Sequence, residues 1–472
     1  MRFVNRVSEI DALERAWRSR NAQFVAVLGR RRVGKTTLLE RFSEGKRVVY
    51  YRCILANTET QLQLLGTALA QVSGDPVTMA QPPSSWPAVF ALIERLAAEG
   101  RFLLILDETP YWVAKDESVT SRLQNWWDEK GRKLDLMMVI CGSAISMMEQ
   151  ILTGAAPLAG CVGARIGVWP FDLKAAAELL PFNDPVDCLT AYGILGGVPL
   201  YLSYFDVGRS IRDNILETIA RPEARLYVEP QVIFATQHTA FNSTQALAVL
   251  RAISNRHYRW SEIDEVAGTR KNLARVIEPL IGDMGLVKRV LPVTEESKEK
   301  PKEPYYVQYK LADNFFQFYF RFIERNQGQI EFGAGEQVVD SIIMPQLADY
   351  MGPVFEDMAR DWARKANAAS KLPVRVTKLG SWWDAQHELD LVGLDSKGRI
   401  SLTGEAKWRE RARFDRHDLE RYLHHVEALG SLRQPDSSHI LITNHEFDDE
   451  VRMWAQRSGA MLITAGDMLL AP

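Results

Sequence analysis

The sequence predicts an α/β protein with a doubly wound parallel sheet, followed by helical modules and a smaller α/β domain. Short apolar runs alternate with helical segments through the first third of the chain, which is typical of a parallel sheet with helices on both faces. Helical patterns then dominate, and strand patterns joined by a tight turn return after about Ile342. The 472 residues, 46% of them apolar, suffice for about three domains. The predicted domain boundaries are 1–172, 173–235, 236–312, 313–341 and 342–472.

A glycine-framed loop follows the first predicted strand, Phe24 to Leu28, and matches the spacing GxxxxGK[ST] of a phosphate-binding P-loop. Glycines let successive backbone N–H groups point at phosphate oxygens, and the helix that continues from Thr37 to Phe42 adds its positive N-terminal end. A lysine beside the β- and γ-phosphates and a hydroxyl for Mg²⁺ complete the motif. The sequence therefore predicts ATP and Mg²⁺ binding through Gly29, Arg30, Arg31, Arg32, Val33, Gly34, Lys35, Thr36 and Thr37.

The elements on either side of this loop follow from apolar spacing and turn residues. An amphipathic helix precedes it, with Ser8 placed as the N-cap and an apolar face of Ile10, Leu13, Ala16 and Trp17. After it, the pattern predicts a strand, a helix, a loop rich in Pro, Ser and Gly, and a second helix, over Val48 to Cys53, Glu59 to Val72, Ser73 to Pro87 and Trp86 to Ala98.

Two further apolar strands carry the second half of a nucleotide site. The run from Phe102 ends in Asp107 and Glu108, which we assign to Mg²⁺ and to the base that activates water. The alternative is a pair of acids that only caps the strand at the surface. The run from Leu136 ends in Gly142 and Ser143, whose hydroxyl can sense the γ-phosphate. An ordinary Gly-Ser turn remains the alternative for Ser143.

Composition limits the classes of function without selecting one. The net charge of −3 and pI near 6.3 give no global nucleic-acid signature, so DNA contact has to come from local basic patches. Four widely spaced cysteines form no CxxC pair, which indicates a reducing compartment. No apolar run reaches the 18 or so residues of a membrane span, and the N-terminus lacks an apolar signal core. We therefore expect a cytoplasmic protein with no membrane partner.

Together these motifs resemble the prokaryotic and archaeal ATPase family related to AAA+ and STAND proteins. The matching segments are Asn5-Arg6, the P-loop, Asp107-Glu108, Gly142-Ser143 and Gly196-Gly-Val-Pro199. The resemblance implies that the Gly-Gly-x-Pro turn, with Pro199, lies close to the nucleotide base, although from physics alone it is only a helix breaker. It also implies an arginine in a Pro-Leu-aromatic-Gly-Arg segment, but this chain has Pro157-Leu-Ala-Gly160-Cys161. Arg165 is the nearest substitute in sequence.

The middle of the chain has the pattern of a winged helix-turn-helix. Three predicted helices, Thr244 to Ser254, Ser261 to Ala267 and Arg270 to Asp283, precede a wing strand that begins at Leu286. The third helix would present Arg270, Lys271 and Arg275 to a phosphate backbone, although such a module also serves as a lid or scaffold. The aromatic-rich helix Asp313 to Arg325 is predicted to be core rather than a base-stacking surface.

The C-terminal segment brings carboxylates and a lysine together on a predicted hairpin. A helix begins near Pro353, and strands are predicted over Val374 to Leu379, Glu388 to Leu394, Ile400 to Trp408, His439 to Thr443 and Met461 to Thr464. Period-two alternation puts Glu405 and Lys407 on one face, and the hairpin partner brings Asp390 beside them. Asp390, Glu405 and Glu356 suit Mg²⁺, and Lys407 suits activation of water. The alternative is an exposed charged hairpin.

This arrangement resembles the PD-(D/E)XK nuclease superfamily, in a C-terminal part of the DUF234 type, and implies a restriction-endonuclease-like fold. A local basic run supports DNA as a partner, although a solvated helix face competes with that interpretation: Lys407, Arg409, Arg411, Arg413, Arg416 and Arg421. Our main hypothesis is an ATPase whose nucleotide state controls a nuclease-like domain. The alternative is a STAND-like switch or scaffold, with a small-molecule kinase third and a homo-oligomer as a candidate assembly.

Overall fold

The computed structural model describes residues 3–19, 21–235, 243–296 and 307–470. The chain divides into two compact units, which are described separately. The first contains Met1–Pro170 and Gly282–Met284, and the second contains Phe171–Ile281 and Gly285–Pro472. The finer predicted division, which adds a helical lid (173–235), a winged-helix module (236–312), a connecting helix (313–341) and a nuclease-like domain (342–472), stays a prediction.

The first unit alternates strands and helices, as the apolar pattern predicts. Its elements are α1 Val7–Arg18, β1 Gln23–Leu28, α2 Lys35–Ser43, β2 Val48–Arg52, α3 Thr58–Ser73, α4 Pro76–Ala80, α5 Trp86–Ala98, β3 Phe102–Asp107, α6 Thr109–Val113, α7 Ser118–Glu129, β4 Leu136–Gly142, α8 Ile145–Leu152 and β5 Ala164–Gly167. The five strands are all parallel, in the order β2-β3-β4-β1-β5. Their carboxyl ends therefore lie at one edge of the sheet.

The two faces of this sheet are both covered, which explains why its central strands are apolar throughout. Every residue of β3 and of β4 is buried. Along β1, Phe24 and Ala26 enter one apolar cluster with α3, α5 and α7, whereas Val25 and Val27 enter the other cluster with α1 and α2. Strands buried on both faces cannot show polar alternation, as is usual in parallel sheets.

Two local predictions in this unit were wrong. Helix α1 begins at Val7 after a left-handed Arg6 (φ 68°), so Ser8 lies inside the helix and its hydroxyl donates to Glu9 instead of capping the backbone. The stretch predicted as a loop before α5 contains the short helix α4, because Asp75 caps it and Pro76 occupies its first turn.

The second unit begins with helices and ends with a mixed sheet. Its elements are α9 Leu173–Leu179, α10 Pro185–Leu195, α11 Pro199–Leu202, α12 Ile211–Thr218, α13 Glu229–Ala235, α14 Ser243–Ser254, α15 Trp260–Ala267, α16 Leu273–Gly282, β6 Val287–Val290, α17 Val293–Glu296, β7 Gln308–Leu311, α18 Asn314–Phe318, α19 Gln327–Gln329, α20 Gly335–Val338, α21 Met344–Ala368, β8 Lys378–Trp383, β9 Glu388–Leu394, β10 Ile400–Lys407, α22 Arg416–Ala428, β11 Arg433–Thr443, α23 Asp449–Ser458, β12 Met461–Ile463 and α24 Ala465–Leu470.

The middle of this unit contains the three expected helices, α14 to α16, followed by the antiparallel pair β6 and β7. The third helix begins later than predicted, at Leu273. Arg270 and Lys271 precede it with φ of 51° and 68°, so they lie in the turn, and only Arg275 is on the helix. The residue types explain the delay, because α16 keeps to the apolar repeat of Leu273, Val276, Ile277 and Leu280.

The aromatic-rich segment is core, as predicted. Helix α18 continues into π-helical turns over Tyr319–Ile323, Ile330–Ala334 and Val339–Ile343, so the predicted single α-helix was wrong in its regularity. Its aromatic side chains are all buried: Phe315, Phe316, Phe318, Tyr319, Phe320 and Phe322. They pack on one another and on Tyr350 of α21.

The C-terminal sheet has the order β12-β11-β10-β9-β8. Strands β8, β9 and β10 are antiparallel neighbours, whereas β10, β11 and β12 run parallel. Helix α21 contacts β8, β9 and β10, and α22 contacts β9 and β10. The predicted strand Val374 to Leu379 was placed about four residues early, since β8 begins at Lys378. No described helix is long and apolar enough to cross a membrane.

Candidate functional site

The P-loop lies at the carboxyl edge of the first sheet, between β1 and α2. A Cβ on Gly29 would lie 2.1 Å from the carbonyl oxygen of Val168, so no other residue fits without moving that backbone. Gly34 caps α2 with φ of 92°, in the left-handed region that favours glycine. Both framing glycines are thus required by the backbone geometry, and Val33 between them is fully buried.

Lys35 occupies the interior of this loop. Its ammonium donates to the carbonyl of Gly29 at 2.7 Å and to that of Arg30 at 3.0 Å, and the side chain is only 5% exposed. Burial lowers the pKa of Lys35, which the charges of Asp107 and Glu108 partly oppose. An anion in the loop would restore the charge balance of this buried ammonium.

Thr36 and Asp107 meet across the edge of the sheet, as the sequence predicts for a Mg²⁺ site. The Thr36 hydroxyl donates to Asp107 Oδ2 at 3.1 Å, and the carboxylate is 1% exposed. Tyr50 of β2 donates to the same oxygen at 2.8 Å, while the backbone N–H of Glu108 donates to Oδ1 at 3.0 Å. A hydroxyl and a carboxylate are the hard oxygen donors that Mg²⁺ prefers, so this donor set fits that ion.

Glu108 and Ser143 also meet, because β3 and β4 are neighbours. Glu108 Oε2 accepts from the Ser143 hydroxyl at 2.8 Å and from its backbone N–H at 3.2 Å. Glu108 itself has φ of 54°, a left-handed conformation that is rare for a residue with a long side chain. This backbone conformation caps α6, and the two donors from Ser143 fix the carboxylate. Ser143 thus holds the carboxylate of Glu108 through Oε2.

The remaining predicted loop residues have varied surroundings. Arg31 Nη2 donates to the Tyr111 hydroxyl at 2.7 Å, and Thr37 is exposed on α2. Arg30 and Arg32 are partly buried, and Arg32 has φ of 67°. Their contacts with nucleotide stay predictions.

The sequence predicted neither the contact of Tyr50 with Asp107 nor the role of Arg6 in anchoring the P-loop. The guanidinium of Arg6 is 5% exposed and donates to the carbonyl of Val33 at 2.8 Å and to that of Trp169 at 2.7 Å. It therefore ties the start of α1 to the P-loop. Arg6 had a signal, since it lies in the Asn-Arg segment of the resemblance, but a tyrosine in the middle of a strand gives none.

Two predicted residues lie on elements other than β1 and α2, which flank the P-loop. Arg165 lies on β5, and its guanidinium donates to the carbonyl of Leu152 at the end of α8. Pro199 begins α11 in the second unit. Its contact with a nucleotide base stays a prediction.

The second unit brings together the predicted C-terminal residues on β9 and β10. Lys407 Nζ lies 2.6 Å from Glu405 Oε1, which agrees with the shared strand face. Asp390 Oδ2 accepts from the backbone N–H of Ala406 at 2.9 Å. Asp390 and Glu405 are 6% and 4% exposed, so the alternative of an exposed hairpin was wrong for these two acids.

Glu356 of α21 shares this electrostatic environment. Burial raises the pKa of Glu356 and of Glu405, and the charge of Asp390 raises both further. Arg360, one turn later on α21, donates to the carbonyl of Asp390 at 3.1 Å and opposes the shift at Glu356. Two carboxyls with a raised pKa, Glu356 and Glu405, thus share one electrostatic environment with the buried carboxyl of Asp390.

The fit of this cluster to a metal is partial. Glu405 Oε2 is buried and accepts no hydrogen bond within the described structure. A proton or a cation bound to this oxygen would satisfy it. Over residues 3–19, 21–235, 243–296 and 307–470, however, no three His, Cys, Asp or Glu side chains are arranged to hold an ion as they stand. A metal would require the carboxylates to move closer.

The basic run after β10 is partly neutralised. Arg409 and Arg421 both pair with the buried carboxylate of Asp418, and Arg416 pairs with Glu420 at 2.8 Å. Arg411 and Arg413 are exposed. The charge available to an external phosphate is therefore smaller than the sequence count suggests.

Comparisons with known proteins find one family match in the N-terminal part of the chain and a second in the C-terminal part. Residues 3–205 match a family described as an ATPase domain predominantly from Archaea, and residues 319–420 match a family described as archaeal and bacterial proteins of unknown function. An uncharacterised protein of Methanocaldococcus jannaschii is 28% identical over 443 residues, covering 93% of this chain and 95% of that protein. An uncharacterised ATP-binding protein of the same organism is 48% identical over 46 residues, 10% of this chain and 78% of that protein.

Among solved structures, the Walker-type ATPase of Pyrococcus abyssi matches with a TM-score of 0.51 and 21% identity, covering 68% of this chain and 96% of that one. The parallel sheet and its glycine loop define a P-loop ATPase with the fold of archaeal Walker-type ATPases. The chain belongs to the archaeal-type ATPase family through its N-terminal domain, and it joins this ATP-binding domain to a C-terminal domain of the second family.

Proposed function

We propose that this protein is a Mg²⁺-dependent ATPase whose nucleotide state controls a nuclease-like C-terminal domain that acts on DNA. The observation that carries the ATPase part is the paired contact at one sheet edge. There Asp107 accepts from Thr36, and Glu108 accepts from Ser143. A cytoplasmic location and a homo-oligomeric assembly accompany this proposal as predictions.

Each residue of the first unit has a distinct part in hydrolysis. Lys35 binds the β- and γ-phosphates, and Thr36 with Asp107 would hold Mg²⁺. When bound, Mg²⁺ neutralises phosphate charge and orients the terminal phosphate. Glu108 accepts a proton from the attacking water through Oε1, while Ser143 keeps the carboxylate in place through Oε2.

The nuclease part of the proposal rests on the buried carboxylates of the second unit. Asp390, Glu405 and Glu356 would hold Mg²⁺, and the unpartnered Oε2 of Glu405 supports an oxygen ligand there. Such an ion would supply Lewis-acid chemistry, polarising a phosphodiester and lowering the pKa of a water. Lys407, held by Glu405, orients that water. Arg411 and Arg413 would contact the DNA backbone, and α14 to α16 with β6 and β7 form the proposed winged helix.

The second candidate is a STAND-like switch or scaffold, in which ATP orders an assembly and the C-terminal domain only binds DNA or protein. One observation favours it. In the described part of the chain the carboxylates are not arranged as a ready metal site, and Lys407 already neutralises Glu405. In that case the acids would stabilise the fold rather than cut a substrate.

The hydrolysis test compares wild type with Lys35→Ala and Glu108→Gln. Lys35→Ala should lose ATP binding, whereas Glu108→Gln should keep ATP binding and lower turnover by about 10² to 10⁴ fold, because only proton transfer is removed. Glu129→Gln changes an exposed acid at the end of α7 and serves as the control. Normal turnover in Glu108→Gln would contradict the assigned base.

The cleavage test uses linear, nicked, branched and single-stranded DNA with Mg²⁺, with and without ATP. Cleavage that is lost in Asp390→Ala and altered in Lys35→Ala supports an ATP-controlled nuclease. Asp436→Ala, which removes an exposed carboxylate on β11, is the matched control. If no substrate is cut although ATP binds, the switch hypothesis replaces the nuclease hypothesis.

A further inference from the structure

Phosphoryl transfer is faster when positive charge beyond a lysine and a metal reaches the terminal phosphate. An arginine that reaches this phosphate raises turnover by about 10³ to 10⁵ fold. Arg165, the nearest arginine to the sequence position at which the resemblance expects one, is bound to the carbonyl of Leu152 at the end of α8. Any additional positive charge at the phosphate would therefore come from another residue of this chain or from a second copy.

Arg31 is placed to supply it from within the P-loop. It lies between the framing glycines Gly29 and Gly34, and its guanidinium donates to the Tyr111 hydroxyl at 2.7 Å. Tyr111 belongs to α6, the helix that Glu108 caps, and its backbone N–H donates to the carbonyl of Glu108 at 2.9 Å. The guanidinium thus spans the gap between the phosphate loop and the helix that follows the proposed base.

The electrostatics of the loop agree with this position. Arg31 and the buried ammonium of Lys35 are two positive charges of the same loop. Two cations at one loop repel each other, and an anion between them removes the repulsion. The terminal phosphate of ATP is such an anion, with oxygens that a guanidinium fork binds in a bidentate manner.

We propose that Arg31 is a catalytic residue that contacts the terminal phosphate of ATP in cis, and that Tyr111 is the positioning residue that holds its guanidinium. This inference rests on the proposed ATPase function. The water oxygen bonds to the γ-phosphorus while the bond from that phosphorus to the β-γ bridging oxygen breaks. Glu108 takes the proton of the water, and ADP leaves with the electron pair. Arg31 stays protonated throughout and stabilises the γ-oxygens.

The first test is steady-state hydrolysis by the full chain with Arg31→Ala, Arg31→Lys and the control Arg41→Ala, whose guanidinium pairs with exposed Glu44 on the outside of α2. We expect Arg31→Ala to lower kcat by about 10² fold or more, with KM changed by less than about threefold, and Arg31→Lys to fall between. A kcat of Arg31→Ala within about threefold of wild type would overturn the proposal.

The second test separates this proposal from the ATPase function itself. We would measure binding of ADP alone and of ADP with aluminium fluoride, a mimic of the transferring phosphate, with Mg²⁺. We expect Arg31→Ala to weaken the fluoride complex by about 10² fold and ADP by less than about threefold. Equal weakening of both would overturn the contact. If the wild-type chain hydrolyses no ATP, the proposed function fails, and this binding comparison still decides on Arg31.

The third test separates cis from trans action and examines Tyr111. Mixing Arg31→Ala with Lys35→Ala should restore no activity, because each site uses its own arginine, and restored turnover would overturn the cis assignment. Tyr111→Phe should lower kcat by about 3 to 10 fold with KM unchanged. The same change in the Arg31→Ala background should have no effect, since Tyr111 acts only through Arg31. Equal effects in both backgrounds would overturn the positioning role.

Discussion

Replacing Tyr50 by phenylalanine is a sharp test of the Asp107 environment. The change removes one hydroxyl and keeps the ring, so the loss is confined to the 2.8 Å hydrogen bond to Oδ2. Burial and the charge of Asp107 raise the pKa of Tyr50, so the hydroxyl is the donor near neutral pH. A hydrogen bond to a charged group contributes about 1.5 to 3 kcal/mol, and the carboxylate has almost no access to water that could replace it.

Because Thr36 still donates to Oδ2 and Arg52 lies 3.6 Å away, we expect a value near the lower end, about 2 kcal/mol. For a unit of this size that corresponds to about 4 to 8 °C in Tm. Denaturant unfolding of Tyr50→Phe, alone and in an Asp107→Asn background, measures it. In that background the acceptor is neutral, and the cost should fall to about 1 kcal/mol or less. An undiminished cost would show that Tyr50 acts through packing.

Two further predictions each concern one residue, Gly29 in the first unit and His439 in the second. Gly29→Ala should abolish ATP binding and lower Tm by several degrees, because its Cβ meets the Val168 carbonyl at 2.1 Å, whereas Gly160→Ala, with nothing within 4 Å, should do neither. Burial lowers the pKa of His439, so its neutral ring is favoured in the folded state, with Nδ1 2.7 Å from the Tyr422 hydroxyl. The second unit should therefore lose stability as pH falls below about 6.5, and His439→Gln should flatten this loss in denaturant titrations from pH 8 to 5.

Local pattern was sufficient for the first unit. Apolar runs with intervening helices predict the parallel sheet, because strands buried on both faces have to be apolar throughout. The error at the start of α1 comes from contacts between residues that are distant in sequence. Ser8 was a suitable cap by residue type, yet the left-handed Arg6 starts the helix two residues earlier, and its guanidinium is held by the carbonyls of Val33 and Trp169. Such long-range contacts leave no trace in a local window.

The C-terminal prediction depended on strand pairing more than on motif. Period two placed Glu405 and Lys407 on one face, and their 2.6 Å contact confirms that expectation. Burial of Glu405, and then the charge of Asp390 beside it, raise the pKa of Glu405. Helices α21 and α22 both contact the strands that carry these two acids. No spacing in the sequence indicates how closely three carboxylates approach one another.

By itself, the sequence determined the phosphate loop and the two acids at the end of β3, because their chemistry depends on residue type at fixed spacing along one chain segment. Only the tertiary structure decided which side chains donate hydrogen bonds to these two acids. Tyr50 donates to Asp107 from a neighbouring strand, and Ser143 donates to Glu108 from the end of another. Arg31 likewise meets Tyr111 across 80 residues of chain. The order of strands in the sheet brings these partners together, and sequence distance carries no information about it.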